Sequence, residues 1–299
     1  MSEQVTFPKG GVHPFDFKSF TSGVPIRNAP IPALAVIPMQ QHMGKPAQCL
    51  VSKDDLVREG MLIGQAQGVF SANIHSPIPG VVKEIHKIYL PTGIRSEAVA
   101  IELQGEFDRS GKDEPRLEWQ GISGSDLLKN LADKGIVGLG GATFPTVLKY
   151  TIREGFQVEY FVVNGVECEP FLTADHRLMV EKSLEIIEGI RIVQQIMKPR
   201  QIIIGIEENK ADAIAVMREN IVRAGLDFEV VALKVKYPQG DEKQLIKAVI
   251  GKEVPSGGLP LDIGAVVSNA GTMLAIYEAV VLDKPLIERV VTVSGSIIR

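Results

Sequence analysis

Cysteine is almost missing from this sequence, with Cys49 and Cys168 the two in 299 residues. Two thiols make no disulfide framework and fall short of the four thiolates that normally hold an iron–sulfur cluster, so any such cluster lies outside these residues. Long hydrophobic runs are missing too. The apolar stretch around Val230 to Val235 is far below the roughly 20 residues that span a bilayer, and the N-terminus has no signal-peptide pattern. The expectation is a cytoplasmic chain with no direct membrane insertion. No Lys/Arg-rich segment interleaved with aromatics is present, and the formal net charge is -4, so nucleic acid is not an expected partner. The five histidines (13, 42, 75, 86 and 176) show no metal-ligand spacing, and no metal is assigned. What the chain does have is apolar content, 45% of its residues, enough for a large core and about two domains.

Residues 1–103 are rich in Pro and Gly, with short β-type runs such as Val81 to Ile85 and Ala98 to Leu103 and no helical period. Within them, Asp55 to Gly64 and then His75-Ser-Pro-Ile-Pro-Gly-Val-Val-Lys-Glu-Ile85 resemble the hairpins of lipoyl and biotinyl carrier domains. Lys53 and Lys83 lack the setting of a modified lysine, so the resemblance implies the fold alone, a small β barrel-sandwich hybrid. Residues 104–121 are polar and contain Gly and Pro, as a linker does. Over 122–285 short apolar runs (Tyr160 to Val163, Ile202 to Ile204, Glu229 to Val235, Ala265 to Val267) alternate with helical periods such as Ile186, Ile190, Val193 and Met197. That alternation predicts an α/β domain, a doubly wound and largely parallel sheet. Residues 286–299 turn β-like and stop, which reads as the first strand of a truncated third domain.

Ligands of open parallel sheets bind beyond the carboxyl ends of the strands. Three polar clusters fall there: Asn164-Gly-Val-Glu-Cys-Glu-Pro170, Tyr237-Pro-Gln-Gly-Asp-Glu-Lys243 and Ser268-Asn-Ala-Gly-Thr272. Any doubly wound protein has polar loops at that edge. A sharper feature is Gly135-Ile-Val-Gly-Leu-Gly-Gly-Ala-Thr-Phe-Pro-Thr-Val-Leu-Lys-Tyr150. Its glycines let backbone amides approach an anion, Pro145 suits the first turn of a helix, and Lys149 follows one turn later. The loop follows a helix and lacks the Gly-Lys-Ser/Thr ending, so it is neither a Rossmann fingerprint nor a Walker loop. A plain glycine-rich connection with a surface lysine stays open as the other reading of the spacing.

The run Gly138 to Tyr150 resembles the FMN and NADH loop of the flavin subunit of respiratory complex I, which ends Phe-Pro-Thr-Gly-Leu-Lys-Trp. The three sheet-edge clusters resemble that subunit's Asn-Ala-Asp-Glu-Gly-Glu-Pro, Tyr-Ile-Cys-Gly-Glu-Glu and Asn-Asn-Val-Glu-Thr. The β-domain then points to one branch: Gly10-Gly-Val-His-Pro14, Pro38-Met-Gln-Gln-His-Met-Gly-Lys-Pro-Ala47 and His75-Ser-Pro resemble the C subunits of Rnf complexes, ion-pumping NADH:ferredoxin oxidoreductases.

The resemblance implies that Gly138, Gly140, Gly141 and Lys149 cradle FMN. It implies that Asn164, Glu167, Tyr237, Gly240, Asp241, Asn269 and Thr272 line the flavin, with Phe144 and Glu169 toward NADH. Glu167 and Glu169 would orient the nicotinamide and ribose; two solvated carboxylates are the bland reading. Leu139 stands where the complex I motif has Arg, Thr143 where it has Gly, Val166 where it has Asp, and Ser268 where it has the first Asn. The resemblance also implies that the strand expected over 286–299 opens a β-grasp domain. Family members carry two 4Fe-4S clusters in a C-terminal part beyond this chain, and partner with other subunits of a membrane-bound electron transport complex. The expected place is peripheral, on the inner face of the membrane. A flavin-dependent cobalamin reductase and a docking subunit that has lost its flavin are the competing readings.

Overall fold

The computed structural model describes residues 5–107 and 117–295. Seven strands come first: β1 Leu34–Pro38, β2 Gln48–Cys49, β3 Leu56–Val57, β4 Leu62–Gln65, β5 Ile74–His75, β6 Gly80–Tyr89 and β7 Arg95–Leu103. Helices α1 Gly124–Asp133 and α2 Thr146–Tyr150 follow. Then come β8 Tyr160–Gly165, α3 Ala174–Glu181, α4 Ser183–Met197, β9 Gln201–Glu207, α5 Ala211–Arg223, β10 Glu229–Leu233, α6 Glu242–Ile250, β11 Ala265–Asn269 and α7 Ala270–Val281. Packing groups them into two units, residues 1–27, 152–274 and 290–299 in one, residues 28–151 and 275–289 in the other. This grouping differs from the sequence boundaries at 103 and 122.

In the first unit the strands run parallel in the order β10-β9-β8-β11. Phe161, Val162 and Val163 are fully buried, because a parallel strand with helices on both faces must be apolar on both. Val162 and Val267 pack in one cluster with Leu245 and Ile246 of α6. On the opposite side a Cβ at Gly165 would lie 2.7 Å from Met179 Sδ of α3, so glycine lets that helix lie close to the strand. The chain winds from β8 through β9 to β10 on one side and then returns to place β11 on the other. The topological switch point therefore lies between β8 and β11, the place where doubly wound sheets bind ligands. Val5 bridges Leu233 and Val12 bridges Tyr237, so the first residues of the chain belong with this sheet.

The second unit holds an antiparallel sheet, β1-β7-β6-β3, and a smaller one, β2-β4-β5. Ile37, Met39, Ile63, Val82, Val99 and Ile101 fill the core they enclose. Ser123 caps α1 by accepting the Asp126 amide at 3.2 Å, and Gly135, at φ +68°, takes the chain out of that helix. Residues 290–295 form no strand. No described strand pairs with them; Thr292 Oγ1 instead accepts the Thr173 amide at 2.9 Å. Residues 296–299, where the expected last strand continues, and 108–116 of the expected linker lie outside the described residues.

Candidate functional site

The candidate residues fall into two groups, one in each unit. At the carboxyl edge of the parallel sheet the polar side chains knit the loops together. Asn164 donates to the Gly240 carbonyl at 2.9 Å and accepts the Val166 amide at 3.0 Å, joining the loops after β8 and β10. Gly240 is glycine for a packing reason, since a Cβ there would meet the Val166 carbonyl at 3.0 Å and Cys168 Sγ at 3.4 Å. Asn269 donates to Asp175 at 2.6 Å and accepts the Thr272 amide at 3.2 Å, which ties the end of β11 to α3. Asp241 caps α6 by accepting the amides of Lys243 and Gln244, both at 3.1 Å. Tyr237 exchanges backbone hydrogen bonds with Val12 and keeps 36% of its surface exposed.

The two glutamates of the β8 loop part company. Glu169 is exposed. Glu167 is buried, and its two oxygens accept the amides of Asp175 at 3.1 Å and His176 at 3.4 Å. These are first-turn amides of α3, which have no partner inside the helix, so the geometry gives Glu167 the work of a helix cap. Burial, reinforced by Asp175, raises its carboxyl above the usual range. Burial likewise raises the Cys168 thiol, which suits a packing residue better than a redox one.

Sequence reasoning missed a buried charge network beneath this edge. Lys18 is 5% exposed and donates to the Glu169 and Leu172 carbonyls at 2.9 and 2.6 Å, pinning the loop that carries Glu169. Burial, and then Lys210, lowers its pKa. Glu207 at the end of β9 and Lys210 pair at 2.8 Å with no exposure at all. Glu207 Oε1 and Gln239 Nε2, both fully buried, lack hydrogen-bond partners among the described residues. Unsatisfied polar atoms at the end of β9 and in the loop between β10 and α6 fit a site that a polar ligand completes. No pattern of spacing in the sequence links residue 18 to 169 or 210.

In the second unit the glycine loop rests on the β-domain motifs. The Met43 amide donates to the Thr143 carbonyl at 3.2 Å, and Phe70 meets Phe144 edge-on with centroids 5.9 Å apart. Gly135 approaches Asn73 so closely that a Cβ would lie 2.3 Å from its carbonyl oxygen. Gly138 and Gly141 are different: a Cβ would touch nothing nearer than 3.6 Å at the first and nothing within 4 Å at the second. Packing leaves open space over both, which fits a loop that a ligand approaches, although Gly141 also holds φ +159°, a conformation other residues rarely adopt. The helix after Pro145 is a single short turn, α2, and its first amide, that of Thr146, donates to the Ile136 carbonyl. The expected helix N-terminus is thus partly spent on the fold, and Lys149 is half-buried in α2. Among the described residues no three His, Cys, Asp or Glu side chains gather as a metal site, and no helix is long and apolar enough to cross a membrane.

Residues 131–278 match the Nuo51 FMN-binding domain family, and residues 5–106 the RnfC barrel sandwich hybrid domain family. The C subunit of the proton-translocating ferredoxin:NAD(+) oxidoreductase complex of Clostridium ljungdahlii is 42% identical over 97% of this chain and 63% of its own length. The C subunit of the ion-translocating oxidoreductase complex of Rhodobacter capsulatus is 40% identical over 97% of this chain and 56% of its own. This chain therefore spans little more than half the length of these relatives. A solved NAD+-reducing NiFe-hydrogenase aligns with 53% of this chain and 30% of its own at 22% identity and a TM-score of 0.46.

Proposed function

Because the chain belongs to the family of C subunits of ion-translocating oxidoreductase complexes, we propose that it holds FMN, oxidises NADH there, and feeds electrons to partner subunits. The observation that carries this reading is the glycine loop within the matched FMN-binding region, with open space over Gly138 and Gly141. When bound, FMN supplies two-electron acceptance from NADH and one-electron release. Gly138, Gly140 and Gly141 open the loop backbone to the phosphate, and Lys149 adds charge. Asn164, Tyr237, Gly240, Asp241, Asn269 and Thr272 would form the polar edge against which the ring lies, with the Asn164–Gly240 and Asn269–Thr272 hydrogen bonds steadying parts of it. Phe144 and Glu169 would meet the nucleotide. Two 4Fe-4S clusters outside these residues would take the electrons onward, and partner subunits would hold the chain on the inner face of the membrane.

The test is a titration of the purified chain with FMN, wild type beside Lys149→Ala. Loss of a charge-assisted hydrogen bond should weaken binding by roughly 1.5–3 kcal/mol. An unchanged dissociation constant would make Lys149 a surface lysine. Wild-type protein that binds no FMN would favour a docking subunit, which the many internal hydrogen bonds of Asn164, Asp241 and Asn269 also suit.

A further inference from the structure

Two motifs of the β-domain, Gln41-His42 and His75-Ser-Pro77, have no part in the reading above, yet the fold brings both to the glycine loop. Between them is a cleft of about 200 Å³, lined by Gln41, His42, His75, Leu139, Thr143 and Arg289 among others, all within one packing unit. Pockets that bury a whole drug-sized ligand run to roughly 300–1,000 Å³, so this one takes an end-group. His42 is 6% exposed and held by the Lys45 carbonyl at 2.9 Å and Ser71 Oγ at 3.2 Å. His75 is 9% exposed, and its Nδ1, a potential donor, has no partner among the described residues.

The cleft's cation is Arg289. Its guanidinium is exposed and donates through Nη2 to the Leu139 carbonyl at 3.3 Å, so it sits at the tip of the glycine loop with further N–H donors to offer. Its neighbour Glu288, the acidic side chain of the lining, is held by Lys284 at 2.7 Å, which reduces its opposition to an anion. The carbonyl that Arg289 contacts belongs to Leu139, itself part of the cleft lining, so an arginine at 139 would bring its charge to the same cleft.

We propose that this cleft binds a phosphoryl group of the ligand held at the glycine loop, with Arg289 as its charged positioning residue and the His42–His75 wall as its polar backing. The inference rests on the flavin reading for the ligand's identity, but not for its chemistry. Binding of FMN, riboflavin, NADH and inorganic pyrophosphate is measured on the purified chain, wild type, Arg289→Gln and the double variant Leu139→Arg/Arg289→Gln. Thermal unfolding confirms that each variant is folded. Arg289→Gln should weaken the phosphorylated ligand about tenfold or more and leave riboflavin unchanged; Leu139→Arg should restore most of the loss. A loss for FMN assigns the phosphoryl group to the flavin, and a loss for NADH alone assigns it to the dinucleotide. An equal loss for riboflavin, or no loss for FMN, NADH or pyrophosphate, would overturn the proposal. If the wild type binds no flavin at all, the flavin reading fails separately. NADH and pyrophosphate then decide: binding that is lost in Arg289→Gln keeps the cleft, and no binding or no loss removes it.

Discussion

Glu167 and His75 show how one residue's burial sets its pH behaviour. Glu167 titrates above its ordinary value of 4.5, so the folded state holds its proton more tightly than the unfolded chain does. Its contribution to stability is greatest below 4.5 and is lost as pH rises through the raised value. Glu167→Gln keeps an acceptor for the α3 amides and should remove that slope at little cost. Glu167→Ala strands two buried amides and should cost about 1–3 kcal/mol. Urea midpoints across the acid-to-neutral range check both; equal losses for Gln and Ala would deny the cap. His75 has the opposite sign, because burial, helped by Lys134, pulls it down to about 4 from 6.5. An imidazole that resists its proton contributes stability fully above pH 6.5 and loses it as pH falls toward 4, by up to about 3 kcal/mol. His75→Gln should flatten the stability profile between those values. A profile as steep as that of the wild type would place the acid sensitivity elsewhere.

Elements were legible where one pattern determined them. The apolar runs at 160–163 and 265–267 mark β8 and β11 because strands buried on both faces admit little else, and the stripe from Ile186 to Met197 marks α4. Packing partners were not legible. Residues 5–27 read as part of a β-domain by composition, yet Val5 and Val12 pair with Leu233 and Tyr237, contacts set by tertiary structure alone. The glycine-rich stretch was legible as a loop, but not the different reasons for its glycines. Gly135 needs φ +68° and close approach to Asn73, whereas Gly138 needs no positive φ and a Cβ there would meet nothing nearer than 3.6 Å. Gly135→Ala should therefore cost at least about 2 kcal/mol of stability through strain and clash. Gly138→Ala should leave the melting temperature nearly unchanged and weaken FMN binding instead. Thermal unfolding with and without FMN separates them, and a Gly138→Ala variant that loses stability but not FMN would reverse the assignment.

At the scale of the whole chain, the parallel sheet followed from alternating strands and helices, while the buttressing of the glycine loop by the barrel did not. That buttress depends on Met43 meeting Thr143 and Phe70 meeting Phe144, pairs far apart in sequence that carry no shared pattern. Nor did the sequence show that Asn164 ties β8 to the Gly240 loop, that Asn269 reaches Asp175, or that Glu167 and Asp241 cap α3 and α6. With two cysteines, the chain lacks the thiols for a cluster, so its own electron transfer should stop at the flavin. The most direct test is anaerobic stopped-flow mixing of the FMN-loaded chain with NADH, following flavin absorbance. Bound FMN should bleach with NADH, and its colour should return on adding ferricyanide. Flavin that binds but is not bleached by NADH on any time scale would contradict the proposed NADH oxidation.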